Sequence, residues 1–235
     1  MVMSDVEIRK AIETGLIKFE PPLDLDKQVQ PASVDLRLGG KVFKTVPEPG
    51  VRTISEGEYL VIEPSEFVEV LTYERIELSN KVVGRIGLRS EFTRKGLLLF
   101  SGPQIDPGFR GVLSVSLYNN STIPVTIKFK ETFCTIEFSE LDTPSSFPYK
   151  GRYQDQKDFD SLDISWLMTA KGMTFSQVVE SIKNLQQSVT LLDTTVKNMQ
   201  ETFTTSVNSL RADVRLYVTL LGIIVALISL LSRIL

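Results

Sequence analysis

Apolar and polar residues alternate with a period of two through most of the first 141 residues of the chain. PASVDLRLGGKVFK (Pro31 to Lys44) predicts a half-buried strand, and from Tyr59 to Leu141 the runs YLVIEP, FVEVLTYERIEL, KVVGRIGLR, GLLLF, GVLSVSLYN, PVTIKF and TFCTIEF recur about every ten residues, which predicts short strands with one buried face. Turn residues separate them at Pro64-Ser65, Ser79-Asn80 and Asn119-Asn120-Ser121, and Gly39-Gly40 predicts a hairpin turn inside the first run. Evenly spaced strands of this kind predict a mainly β fold, a β-sandwich or jelly-roll-like barrel. No helical pattern alternates with them, which argues against a parallel α/β sheet. Ahead of the strands, Ser4-Asp5 predicts an N-cap and VEIRKAIETG a short amphipathic helix stopped by Gly15.

The period changes twice towards the C-terminus. DTPSSFPYKGRYQDQKDFDSLDIS, after Leu141, is polar and rich in turn residues, and predicts a tail lying over a surface. From Phe175 a heptad begins: Phe175, Ile182, Val189, Val196, Phe203 and Leu210 occupy position a, and Val178, Leu185, Leu192, Met199 and Ser206 position d. Only Ser206 breaks the seam, so a coiled coil is expected in preference to a helix packed on its own domain, which normally carries a wider apolar stripe. LYVTLLGIIVALISLLSRIL (Leu216 to Leu235) has no charge before Arg233, and ~20 helical residues at ~1.5 Å each match the ~30 Å hydrocarbon core of a bilayer. The expected organisation is a β body with its tail over 1–158, a linker over 159–174, a coiled-coil stalk over 175–215 and a transmembrane anchor over 216–235.

Composition narrows the chemistry. The chain of 235 residues has no histidine and one cysteine, Cys134, so an intrachain disulfide, a typical zinc site and a Ser-His-Asp triad are all excluded. Acid and base work falls to carboxylates. A net charge of −3 exerts no general pull on nucleic acid. The start MVMSDVEIRK lacks the apolar core of a signal peptide, and Arg211 and Arg215 before the apolar run agree with the expectation of a body on the cytoplasmic side of a membrane.

Two polar knots lie between the strands of the stretch Gly84 to Asn119. Arg89, Arg94 and Arg110, with Ser90 beside the first, are the groups that bind phosphate oxygens by charge-assisted hydrogen bonds; scattered surface arginines are the plainer explanation. In IDPGFRG a tight turn presents Asp106 and Phe109, suited to a sugar hydroxyl and a sugar or base face, although a self-capped β-turn uses the same residues.

PASVDLRLG (Pro31 to Gly39), GRIGLRSEFTRKGL (Gly84 to Leu97), QIDPGFRG (Gln104 to Gly111), SLYN (Ser116 to Asn119) and GRYQDQ (Gly151 to Gln156) resemble, in this order, the motifs of the dCTP deaminase family of the dUTPase-like superfamily. The resemblance covers about Ser4 to Asp158 and implies a homotrimer of distorted jelly-roll subunits binding a pyrimidine deoxynucleoside triphosphate such as dCTP or dUTP, with Mg2+ carried on the triphosphate, at subunit interfaces. It implies that Arg89 and Ser90 hold phosphates, that Arg94 sits by the phosphates and the reacting water, that Asp106 binds the deoxyribose hydroxyl, and that Phe109 packs on the sugar. Tyr149, Arg152 and Gln156 are then expected to close over the nucleotide, Arg152 towards phosphate and Gln156 towards the base.

The sequence departs from the deaminase pattern at Ser116 and Glu91, and its segment from Arg94 to Asp106 is one residue shorter. Ser116 stands where the family carries the glutamate that serves as its general acid and base, and a serine hydroxyl cannot shuttle protons near neutral pH without a partner base. Glu91 stands where the family has a second serine beside the triphosphate, and a carboxylate there repels phosphate unless a metal bridges them. The related dUTPases use the aspartate of the same turn against the α-phosphate, so Asp106 keeps hydrolysis of dUTP open, and a non-catalytic membrane-anchored nucleotide sensor or scaffold trimer is the other reading. A trimeric body and a parallel stalk would each bring three copies together.

Overall fold

The computed structural model describes residues 1–45, 49–169 and 175–231, with side chains in the last helix from 178 to 228. Two compact units divide the chain, Met1–Val178 and Val179–Leu235.

The first unit opens with α1 (Asp5–Glu13), β1 (Ile17–Glu20), α2 (Leu25–Gln28), β2 (Val29–Gln30), β3 (Ser33–Lys44), β4 (Gly50–Thr53), β5 (Tyr59–Ile62) and β6 (Phe67–Leu78). It continues with β7 (Val82–Leu88), α3 (Ser90–Arg94), β8 (Leu97–Leu99), β9 (Gln104–Ile105), β10 (Arg110–Asn119), β11 (Val125–Lys128), β12 (Thr132–Glu140) and α4 (Ser161–Thr169). The expected N-terminal helix is present. Ser4 closes a reciprocal capping box with Glu7, Ile8 and Ala11 are buried, and Gly15 takes a positive φ just after the C-cap.

The mainly β expectation is met. The principal strand order is β8-β10-β6-β3-β12-β7-β9, with β1 added on β6, β2 and β4 on β3, and a separate β11-β5 pair. Among the described residues every strand pair is antiparallel, and alternation buries Val42, Phe133, Phe138, Val115 and Leu117 on the core side. The expected hairpin at Gly39-Gly40 is absent: both glycines lie inside β3. Val34 to Arg37 pair with β12, whereas Val42 to Lys44 pair with β6, and the register slips between Leu38 and Val42. The glycines therefore mark the point where one strand passes from one sheet to the other. A Cβ on Gly39 would lie 2.7 Å from the Leu71 carbonyl oxygen, so close backbone approach, and not a turn, requires glycine there.

Residues 159–174 were expected to be linker, but α4 occupies Ser161–Thr169, burying Leu167 while Leu162 and Trp166 stay exposed. Beyond it runs a single helix, α5 (Phe175–Leu231), of 57 residues. Its expected seam is exposed along the chain: Ile182, Leu185, Val189, Leu192, Val196, Met199, Phe203 and Leu210 all face solvent. The expected transmembrane anchor is not borne out: among the described residues no helix is long and apolar enough to cross a membrane. The last part of the 216–235 run lies outside the described residues.

Candidate functional site

Strands β10 and β6 lie side by side, with Ser116 opposite Glu69, Val115 opposite Val70 and Leu117 opposite Val68. Alternation sends Val115 and Leu117 into the core and turns Ser114 and Ser116 to the other face. Directly opposed residues share a face, so Glu69 projects beside the two serines. Its carboxylate accepts one hydrogen bond from Ser114 Oγ and another from Ser116 Oγ, each 2.6 Å. The main chain of Ser116 is tied in turn to the preceding segment: its N–H donates to Ser101 Oγ at 2.7 Å, and its carbonyl accepts from Phe100 N at 2.9 Å.

These three side chains line a cavity of about 400 Å3 whose other walls include Asp106, Phe109, Tyr149 and Gln156. The Asp106-Phe109 wall is a β-turn. Phe109 N–H donates to the Asp106 carbonyl at 3.1 Å, Pro107 fills the first central position, and Gly108 at φ +85° fills the second, the arrangement of a type II turn. A Cβ on Gly108 would also sit 2.6 Å from Pro148 Cβ, so the turn and the tail meet there. The Asp106 carboxylate accepts from Gln104 Nε2 at 2.7 Å, and the Phe109 ring meets Tyr149 edge-on at 5.5 Å.

The expected covering tail is a fixed wall of the cavity. Tyr149 N–H donates to the Pro107 carbonyl, Asp155 N–H to the Arg110 carbonyl, and Val112 N–H to the Gln156 carbonyl. The Gln154 side chain accepts from Arg110 N–H and donates to the Gly108 carbonyl, each at 3.0 Å. Two N–H groups of the Arg110 guanidinium donate to the Asp155 carboxylate, and Arg75 Nη2 adds a third bond at 3.0 Å. Arg110, foremost, holds the Asp155 carboxyl below its ordinary range.

The chain thus brings Asp106, Phe109, Ser116, Tyr149 and Gln156 to one cavity, but not the expected phosphate ligands. Arg89, Ser90 and Arg94 belong to α3 and its cap and are not among the lining residues. Arg89 donates to the buried Asp35 carboxylate and to Thr132 Oγ1 at 2.9 Å. Burial pushes the Asp35 carboxyl up, against the opposing charge of Arg89. Ser90 and Arg94 are exposed. Arg110, a candidate phosphate ligand from the sequence, instead anchors the tail. Arg152, expected to face phosphate, pairs with Asp163 and with Asp160 at 3.1 Å and lies over the Tyr153 ring. Glu91 is matched by Lys95 at 2.8 Å, and that hydrogen bond holds its carboxyl below the usual range.

Sequence reasoning missed Glu69, Ser114 and Asp163, all of which line the cavity. Glu69 gives Ser116 a carboxylate partner at 2.6 Å. With Glu69, Asp106 and Asp163 in the lining and no lysine or arginine among the lining residues, the cavity of one chain carries negative charge. Phosphate groups entering it need positive charge supplied from outside that lining.

Comparison with known proteins shows the family of the chain. Residues 2–141 match the family model described as dCTP deaminase-like. A dCTP deaminase, dUMP-forming, of Sulfurihydrogenibium sp. is 34% identical over 171 residues, covering 67% of this chain and 93% of the relative. A dCTP deaminase of Pyrococcus horikoshii is 39% identical over 154 residues, covering 66% of this chain and 92% of the relative. The crystal structure of the 2'-deoxycytidine 5'-triphosphate deaminase from Agrobacterium tumefaciens shares the fold at a TM-score of 0.50 and 23% identity, over 58% of this chain and 47% of that one. The chain belongs to the dCTP deaminase-like family.

Proposed function

We propose that the protein binds a pyrimidine deoxynucleoside triphosphate as its Mg2+ complex and processes it hydrolytically, with dCTP deamination as the first reaction and hydrolysis of the resulting dUTP open to the same site. The observation that carries this reading is the cavity in which the Asp106 turn, the Phe109 ring, Ser116 and the Tyr149–Gln156 tail meet. In this reading Asp106 accepts the hydrogen bond of the sugar hydroxyl, Phe109 packs on the sugar, and Gln156 meets the base edge. Relatives named as dCTP deaminases, one of them dUMP-forming, support chemistry at the base and at the phosphates.

The residues present suit a metal that arrives with the substrate. Among the described residues no group of three or more acidic, thiol or imidazole side chains is placed to hold a metal ion. Mg2+ is commonly held by substrate phosphates with one or two carboxylates, and it would offset the acidic lining of the cavity.

The same charge argument supports a site completed by a second copy. Arg89, Ser90 and Arg94 of one chain would meet the phosphates of a nucleotide lying in the cavity of the next, within a homotrimer. The exposed heptad seam of α5 supports such an assembly, because an isolated helix of this length would leave that apolar stripe in water. The apolar side chains from Leu216 to Ile228, exposed around the helix and continued in sequence to Leu235, support attachment to a membrane at the C-terminal end, with the body in the cytoplasm. Co-sedimentation of the full chain with phospholipid vesicles tests that attachment.

Incubation of the full chain with dCTP or dUTP and Mg2+, following ammonia, uracil nucleotide and pyrophosphate, tests the function. Turnover of either supports it. Binding without turnover replaces it with the nucleotide-sensor reading, for which Ser116 in place of a carboxylate on β10 is the specific observation.

A further inference from the structure

We propose that Glu69 of β6 is the proton-carrying residue of this site, working through the hydroxyl of Ser116. The inference rests on the reading of the cavity as a dCTP-deaminating site.

Exchange of an amino group for oxygen at C4 of cytosine needs a group that takes a proton from water and returns protons to the ring and to the leaving nitrogen. With no histidine in the chain and Cys134 buried, its thiol pushed well up by burial, the carrier must be a carboxylate. Three carboxylates line the cavity. Asp163 is engaged by the Arg152 guanidinium and, at 3.4 Å, by the Tyr153 hydroxyl on the same oxygen, and Asp106 accepts from the Gln104 amide. A guanidinium and an amide cannot pass a proton onward at ordinary pH. Glu69 has no cation or amide among its hydrogen-bond partners: Ser114 donates to one oxygen and Ser116 to the other, both at 2.6 Å. A hydroxyl both donates and accepts, and its proton rotates to suit, so the Ser116-Glu69 pair can relay a proton in either direction. Each carboxylate oxygen keeps a further lone pair after accepting from its serine.

The cross-strand geometry explains why the carboxylate comes from β6. Ser116 and Glu69 are directly opposed, so a carboxylate rooted on either strand reaches the same few ångströms of cavity wall. In the reaction, the water oxygen bonds to C4 as its proton passes to Glu69, and Glu69 delivers that proton to N3. A second proton, from the new hydroxyl, is carried by Glu69 to the amino nitrogen. The C4–N bond then breaks with its electron pair leaving on nitrogen, and ammonia and the uracil nucleotide result. Water is consumed and no oxidant or reductant is required.

The test compares the full chain with three variants, Glu69→Gln, Ser116→Ala and the exchange of Glu69→Ser with Ser116→Glu. Each is assayed for ammonia release from dCTP across pH, with nucleotide binding followed by calorimetry. Loss of the carrier is expected to lower kcat on the order of 100-fold with nucleotide affinity retained, and to abolish the acid limb of the kcat profile. The exchange variant, which restores a carboxylate from β10, is expected to recover at least about tenfold of that loss. Should Glu69→Gln fail to fold, the exchange variant still decides: activity and an acid limb support the proposal, and an inactive but nucleotide-binding exchange variant overturns it. A wild-type chain that deaminates dCTP while Glu69→Gln does so within threefold overturns the role of Glu69 and leaves the function standing. A wild-type chain that releases no ammonia from dCTP overturns the role of Glu69 together with the deamination reaction, while hydrolysis of dUTP is judged by its own pyrophosphate release.

Discussion

Arg89, the cap residue of α3, donates to the Asp35 carboxylate, which is buried in β3 54 residues earlier. The side chain expected to hold phosphate is therefore also the counter-charge of a buried acid. Arg89→Ala leaves that carboxylate without its cation, and a loss of ~1–3 kcal/mol in stability is expected, since an unmatched buried polar group costs about that much. The effect has a sign in pH. Burial already raises the Asp35 pKa, so its native form takes up a proton more readily than the unfolded chain. The contribution of the acid to stability is then full below the unfolded pKa and lost as pH rises through the raised folded value. The deficit of Arg89→Ala relative to wild type should shrink as the pH is lowered towards that window, as urea titrations at several pH values will show. A deficit independent of pH would contradict the pairing.

The tail depends on Arg110 and Asp155. Here the acid is shifted the other way, downwards, so the pair is at full strength above the ordinary carboxylate pKa and fails as pH falls through the depressed value of Asp155. Asp155→Asn is expected to expose the 149–160 segment to limited proteolysis at neutral pH and to raise the KM for nucleotide severalfold with kcat less affected. Because the pair is solvent-exposed, the same loosening should follow from raising the salt concentration.

Gly108→Ala tests the junction of turn and tail. A side chain at φ +85° and 2.6 Å from Pro148 Cβ forces both apart, with an expected cost of ~1–3 kcal/mol in thermal or denaturant unfolding and weaker nucleotide binding. Gly50→Ala, where an added Cβ meets nothing within 4 Å, is the control and should change neither.

The seam of α5 sets the expected oligomer. Leu185→Asp with Leu192→Asp places charge at two exposed apolar positions, and sedimentation is expected to shift from trimer to monomer with loss of turnover. A wild-type chain that sediments as a monomer would remove the shared-site reading.

Much of this molecule is legible from residue patterns, because alternation of apolar and polar residues is a local signal and the strands obey it. The Asp106 turn and the capped α1 are legible for the same reason: proline, glycine and serine act within a few residues. What escapes is non-local. Gly39-Gly40 has the same letters whether a chain turns back or a neighbouring backbone comes close, and only the pairing of β3 with both β12 and β6 distinguishes them. Glu69 reads as one more exposed position of an alternating strand until the register sets it against Ser116. Arg89 and Arg110 look free because Asp35 and Asp155 lie far away in sequence. The helix over Ser161–Thr169, SLDISWLMT, escapes because its apolar residues form no clear stripe along one face.

The most direct measurement is ammonia release from dCTP by the purified full chain in the presence of Mg2+. The account predicts turnover, retained binding but little turnover in Glu69→Gln, and complementation when chains carrying Asp106→Ala are refolded with chains carrying Arg94→Ala. No turnover of dCTP or dUTP by a wild-type chain that is folded and assembled would contradict it.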